Sequence, residues 1–121
     1  MTVAYWIVAA VLAFFYLYSG GMKVSRSKEQ LQPMMGWVET SPMSFVRTIG
    51  VLELLGAIGL ILPPLTKIAP GLAIAAAVGF VLIQIGALVV HIRRGEFKVI
   101  GLNIGLLVLA GVAIWLGTVW V

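Results

Sequence analysis

At 121 residues, with 62% hydrophobic side chains and a mean hydropathy of +1.15, the chain has the length of one domain and a composition outside the soluble range. Eight Lys and Arg stand against four Asp and Glu; in a membrane protein such a basic excess follows from Lys and Arg gathering in cytoplasmic loops, so nucleic acid is not implied. No cysteine is present, which excludes disulfides, iron–sulfur clusters and thiolate metal sites.

The first apolar run, about residues 3–22, lacks a basic leader and a small-x-small cleavage pattern and reads as a retained span. About 1.5 Å per residue carries it across a hydrocarbon core of about 30 Å. Tyr5 and Trp6 suit the interface near its start, and Tyr5, Leu12, Tyr16, Ser19 and Lys23 fall on one helical face, the polar one. Residues 24–41 turn polar but hold Pro33, Gly36 and an apolar set of Leu31, Met34, Met35, Trp37 and Val38. Such a segment lies along the membrane surface as a connector or folds over the bundle as a lid.

Span two, about 43–62, has a start signal in Thr40-Ser41-Pro42, with Ser41 as N-cap and Pro42 at the first helical position, and an end at Pro63-Pro64. Glu53 lies eleven residues past Pro42, about 16 Å along the axis. A carboxylate at that depth is expensive unless partnered, which makes Glu53 the first candidate for function. Gly50, Gly56 and Ala57 surround it on a face where another helix can approach closely.

Span three, about 71–90, puts Ala73, Ala77, Phe80, Gln84, Ala87 and His91 on one side. After the connector 91–98, span four covers about 99–120. There Gly101 and Gly105 form a GxxxG pattern suited to helix contact, while Asn103 points the opposite way, and Trp115 and Trp120 mark the far interface. The expected fold is an all-α bundle of four transmembrane helices in a single domain.

Seven of the eight basic residues, Lys23, Arg26, Lys28, Arg47, Arg93, Arg94 and Lys98, fall on one side and Lys67 on the other. The expected topology is a multi-pass cell-membrane protein with loops 23–44 and 91–98 cytoplasmic and both termini outside. Glu53, His91, Lys23, Asn103 and Gln84, with Tyr16 and Ser19 on span one, then converge in the cytoplasmic half as a polar pocket. Gly50, Gly56, Gly101 and Gly105 are the candidate helix contacts. Plainer roles exist for several: Lys23 snorkelling to headgroups, Arg47 an interfacial anchor, His91 a boundary residue, Gln84 and Asn103 interhelical hydrogen-bond glue.

One His and no Cys cannot build bis-His haem ligation, a usual zinc site or a Cys–His dyad, and no phosphate loop follows a strand, so no metal site and no catalytic residue is assigned. The chemistry left is proton transfer through Glu53, His91 or Lys23, or that of a bound cofactor or partner.

The residues "YSGGMK" at Tyr18 to Lys23, "GVLELLGAIGLILPPL" at Gly50 to Leu65, a His ending span three and an Asn early in span four resemble the DoxX-like family of small four-helix membrane proteins. The resemblance covers essentially the whole chain and supports Lys23, Glu53, His91 and Asn103 as its important set. It implies association with membrane redox complexes, the family name coming from a subunit linked to a thiosulfate:quinone oxidoreductase, while other relatives look like assembly factors.

Three functions compete. The first is a pocket for a lipophilic small molecule, quinone or isoprenoid-like, in an accessory subunit rather than an independent enzyme; quinone is the one cofactor candidate. The second is an assembly or interaction partner within the lipid bilayer, as a homo-oligomer or beside a membrane redox protein. A small proton-coupled transporter ranks last, since four-span exporters place their Glu in the first span and show little charge bias.

Overall fold

The computed structural model describes residues 2–31, 33, 35, 37–38 and 41–121, apart from the side chain of Val99; Met34, Gly36 and Thr40, cited above, lie outside these. The main elements are α1 (Thr2–Ser25), a single turn α2 (Lys28–Leu31), α3 (Met43–Thr66), α4 (Leu72–Arg93) and α5 (Ile100–Gly117), the last continued by a 3-10 turn to Trp120. All but α2 are long and apolar enough to cross a membrane, and no strand occurs among the described residues. The chain is an integral membrane protein with an all-α, four-helix fold.

Around the bundle α1 packs on α3, α3 on α4, α4 on α5, and α5 back on α1. The interior is built from small residues, Ala9, Ala57, Ala77 and Ala110 among them, with Tyr5, Tyr16 and Phe80 filling the wider gaps. Large aliphatic side chains such as Leu55, Leu82 and Val108 point outward. That inversion follows from the solvent: lipid tails are as apolar as Leu, so helices associate through close packing of small side chains. α1 buries Tyr5, Leu12, Tyr16, Ser19 and Lys23, one continuous helical face.

Both ends of α3 differ from expectation. Pro42 takes the N-cap position with extended backbone, and its carbonyl accepts from the Phe45 and Val46 amides; the Ser41 hydroxyl donates backward to the Trp37 carbonyl at 2.9 Å instead of capping. At the other end the helix runs through Pro63 and Pro64 to Thr66, and Lys67, at φ 60°, terminates it. A proline removes the N–H that would serve the carbonyl four residues back. For Pro64 that carbonyl belongs to Leu60, and the Tyr5 hydroxyl donates to it at 2.6 Å. A side chain of α1 thus satisfies one of the two carbonyls that the prolines of α3 leave open, the kind of repair a low-dielectric setting favours.

The connector is packed onto the bundle rather than lying free. Ser27 and Gln30 form a reciprocal capping box at α2, with the Ser27 amide donating to Gln30 Oε1 at 2.9 Å and the Gln30 amide to Ser27 Oγ at 3.3 Å. Leu31 and Val38 are fully buried against Met22 and Val46, with Met35, Trp37 and Met43 around them. This second small core seals the basic end of the α1–α3 pair.

Candidate functional site

The site begins with two glycines. A Cβ on Gly20 would lie 2.7 Å from the Gly50 carbonyl oxygen, and one on Gly50 would lie 2.8 Å from Lys23 Cβ, so α1 and α3 cross with their backbones in contact. Lys23 follows Gly20 by three residues and Glu53 follows Gly50 by three, which puts both side chains on the same side of that crossing. There Lys23 Nζ forms an ion pair with Glu53 Oε1 and donates to Ser19 Oγ at 2.9 Å. Glu53 is 1% exposed and Lys23 8%. Arg47 binds the same stretch of α1, one guanidinium nitrogen donating to the Lys23 carbonyl at 2.6 Å. Above the pair, Lys23 Nζ sits 5.9 Å from the centre of the Trp37 ring, so the connector roofs the site with a cation–π contact.

A second, uncharged set ties three helices together. Gln84 of α4 donates through Nε2 to the Tyr16 hydroxyl at 2.6 Å and accepts through Oε1 from Asn103 Nδ2 of α5 at 2.8 Å. Tyr16 also stacks on Phe80, one turn before Gln84, with centroids 3.8 Å apart and planes 7° from parallel. Among the described residues, two buried acceptors in this region, Glu53 Oε2 and Asn103 Oδ1, have no hydrogen-bond partner.

Of the seven pocket candidates the structure gathers Ser19, Lys23 and Glu53 into one set and Tyr16, Gln84 and Asn103 into the other. His91 joins neither. Its Nδ1 lies 3.1 Å from Glu96 Oε1, to which Arg94 Nε also donates at 3.1 Å. The physical reason is depth: seven residues beyond Gln84, about 10 Å further along α4, His91 has reached the helix end, where the connector's own carboxylate is its partner. Gly50 and Gly56 both carry close contacts, Gly56 against the Phe80 ring, while a Cβ on Gly101 or Gly105 would meet nothing within 4 Å. Among the described residues the two glycines of the GxxxG pattern therefore meet no neighbouring helix, and both are exposed.

Three features escaped sequence reasoning. Gly20 stood inside the YSGGMK motif, but nothing in the sequence paired it with Gly50. Phe80 was placed on the inner face without its stacking partner. The Tyr5 contact was legible in principle, since Pro64 announces an unserved carbonyl at Leu60.

Between α3 and α4 an outward-facing groove of about 520 Å³ is lined by Leu52, Gly56, Gly59, Ala76 and Gly79, with Phe80 as its floor. Beyond Leu52 a smaller notch of about 250 Å³ is bounded by Arg47, Thr48 and Val51. Among the described residues no cluster of three or more His, Cys, Asp or Glu is arranged to hold a metal ion.

The chain matches no curated protein and no solved structure. The profile of the DoxX-like family matches residues 7–114, from the first turns of α1 into the last turns of α5, and the chain belongs to the DoxX-like family.

Proposed function

We propose that the protein binds a lipophilic molecule with an oxygen-bearing polar head, of the quinone/quinol or isoprenoid alcohol class, within the bilayer. The observation that carries this reading is the pair of unpartnered acceptors, Glu53 Oε2 and Asn103 Oδ1, buried in the core. Both accept and neither donates, so what complements them is a donor, and a ligand hydroxyl supplies one. A quinone carbonyl has its own counterpart in the Tyr16 hydroxyl, which accepts from Gln84 and keeps its proton to donate.

The groove between α3 and α4 suits a tail, being apolar and narrow-walled with Gly and Ala. Phe80 separates it from Tyr16, so rotation of that ring is the entry step. In this reading the basic end faces the cytoplasm, following the distribution of Lys and Arg, and the redox partner implied by the family resemblance exchanges the ligand there. The test is native mass spectrometry and lipid extraction of protein purified from membranes, followed by binding of a short-chain quinone and its quinol. A co-purifying lipophile and binding weakened by Glu53→Gln and Asn103→Leu are expected; a protein free of lipophile, with binding indifferent to both substitutions, overturns the reading.

A second reading rests on the outward face of Gly101 and Gly105, which is open to a neighbouring helix. It makes the chain an assembly partner or homodimer. Cross-linking lost in Gly105→Leu and retained in Glu53→Gln is its signature.

A further inference from the structure

The notch at the basic end of α3 has a use independent of the interior. Arg47 lies four residues past the start of α3, about 6 Å along the axis, within the first turns of a membrane-spanning helix, where a headgroup phosphate can be reached. One guanidinium nitrogen is engaged with the Lys23 carbonyl, and among the described residues the remaining donors of the fork have no other partner. A guanidinium offers five donors in a planar fork matched to phosphate oxygens, so a partly fixed Arg with free donors is a preorganised phosphate ligand. Below it Val51 and Leu52, both about half exposed, form an apolar track, and Leu52 also lines the α3–α4 groove. A charged head position thus leads without interruption into an apolar channel.

We infer that this notch is a binding site for an anionic phospholipid, its phosphate held by Arg47 and one acyl chain laid over Val51 and Leu52. Charge complementarity selects the anionic lipid over a zwitterionic one, because a choline ammonium beside the phosphate competes with the guanidinium. Since Arg47 also holds the α1 backbone at Lys23, an occupied notch braces the segment that carries the buried ion pair.

The experiment is native mass spectrometry of the detergent-solubilised protein titrated with phosphatidylglycerol, with phosphatidylcholine of the same chains, and with inorganic phosphate. Phosphatidylglycerol should bind several-fold more tightly than phosphatidylcholine, and Arg47→Gln should weaken it about five- to tenfold and abolish the preference. Should Arg47→Gln fail to fold, Leu52→Trp, which fills the track from the lipid side and leaves the guanidinium in place, should weaken it in the same direction. Arg93→Gln, an exposed charge on α4, should change nothing. Equal loss in Arg93→Gln, indifference of the lipid to both notch substitutions, or displacement by millimolar phosphate overturns the inference, because each makes the attraction a diffuse surface charge or a bare anion site.

Discussion

The α1–α3 seam buries a full ion pair, Lys23 with Glu53, whereas the contact among α1, α4 and α5 rests on the uncharged Tyr16, Gln84 and Asn103. The charged set occurs where two glycines bring backbones together and Trp37 with the connector closes the end, whereas the neutral set runs across three helices, α1, α4 and α5. Ionised groups inside a bilayer need an opposite charge at contact distance, while amides join helices as neutral donors and acceptors at small cost. The close backbone crossing thus coincides with the charged set and the three-helix contact with the neutral one.

Breaking one half of the ion pair should show this most strongly. Glu53→Leu strands a buried ammonium and should lower stability by about 3–5 kcal/mol, read as an earlier thermal transition of tryptophan fluorescence in detergent, whereas Lys23→Met combined with Glu53→Leu should recover most of the loss. A double variant as unstable as the single one would show that the pair is not what holds the seam. Next in size, Gly50→Val drives a side chain into Lys23 and the Gly20 backbone and should cost about 1–3 kcal/mol by the same measurement. Tyr5→Phe leaves the Leu60 carbonyl unserved and should cost about 1–2 kcal/mol; restoring the stability with Pro64→Ala, which returns the missing N–H, checks the cause. In the neutral set, a double-mutant cycle on Gln84→Leu and Asn103→Leu should give a coupling of only about 0.6 kcal/mol, and a value near that of the ion pair would erase the contrast.

Helical periodicity made the inner faces legible. Tyr16, Ser19 and Lys23 on α1, Glu53 on α3, Gln84 on α4 and Asn103 on α5 all lie on buried faces, because in a bilayer a polar side chain has nowhere else to go. How those residues divide into two sets was not legible, since that depends on the height at which helices cross, and crossing height is fixed by contacts such as Gly20 with Gly50 that no single helix encodes. His91 shows the same limit from the other side. It shares a helical face with Gln84, yet a local partner at Glu96, five residues away, claims it. The prolines of α3 misled for a related reason: the helix runs through both, and the carbonyl that Pro64 leaves open is served by a hydroxyl on another helix.

The latches around the bundle are unevenly spread. Tyr5 to Leu60, Lys23 to Glu53 and Arg47 to the Lys23 carbonyl fasten α1 to α3 over a length of about 27 Å along α1, nearly the thickness of the hydrocarbon core. Gln84 fastens α4 to α1 and, through Asn103, to α5 at a single level. Among the described residues no side-chain hydrogen bond joins α3 to α4, and there the groove lies. In side-chain hydrogen bonds the bundle is thus riveted along α1 with α3 and pinned at one level between α1 and α4, with ring packing of Trp120 on Tyr5 and Trp6 at the far end, so a spin-label distance across the α3–α4 seam should be broader than one across α1 and α3.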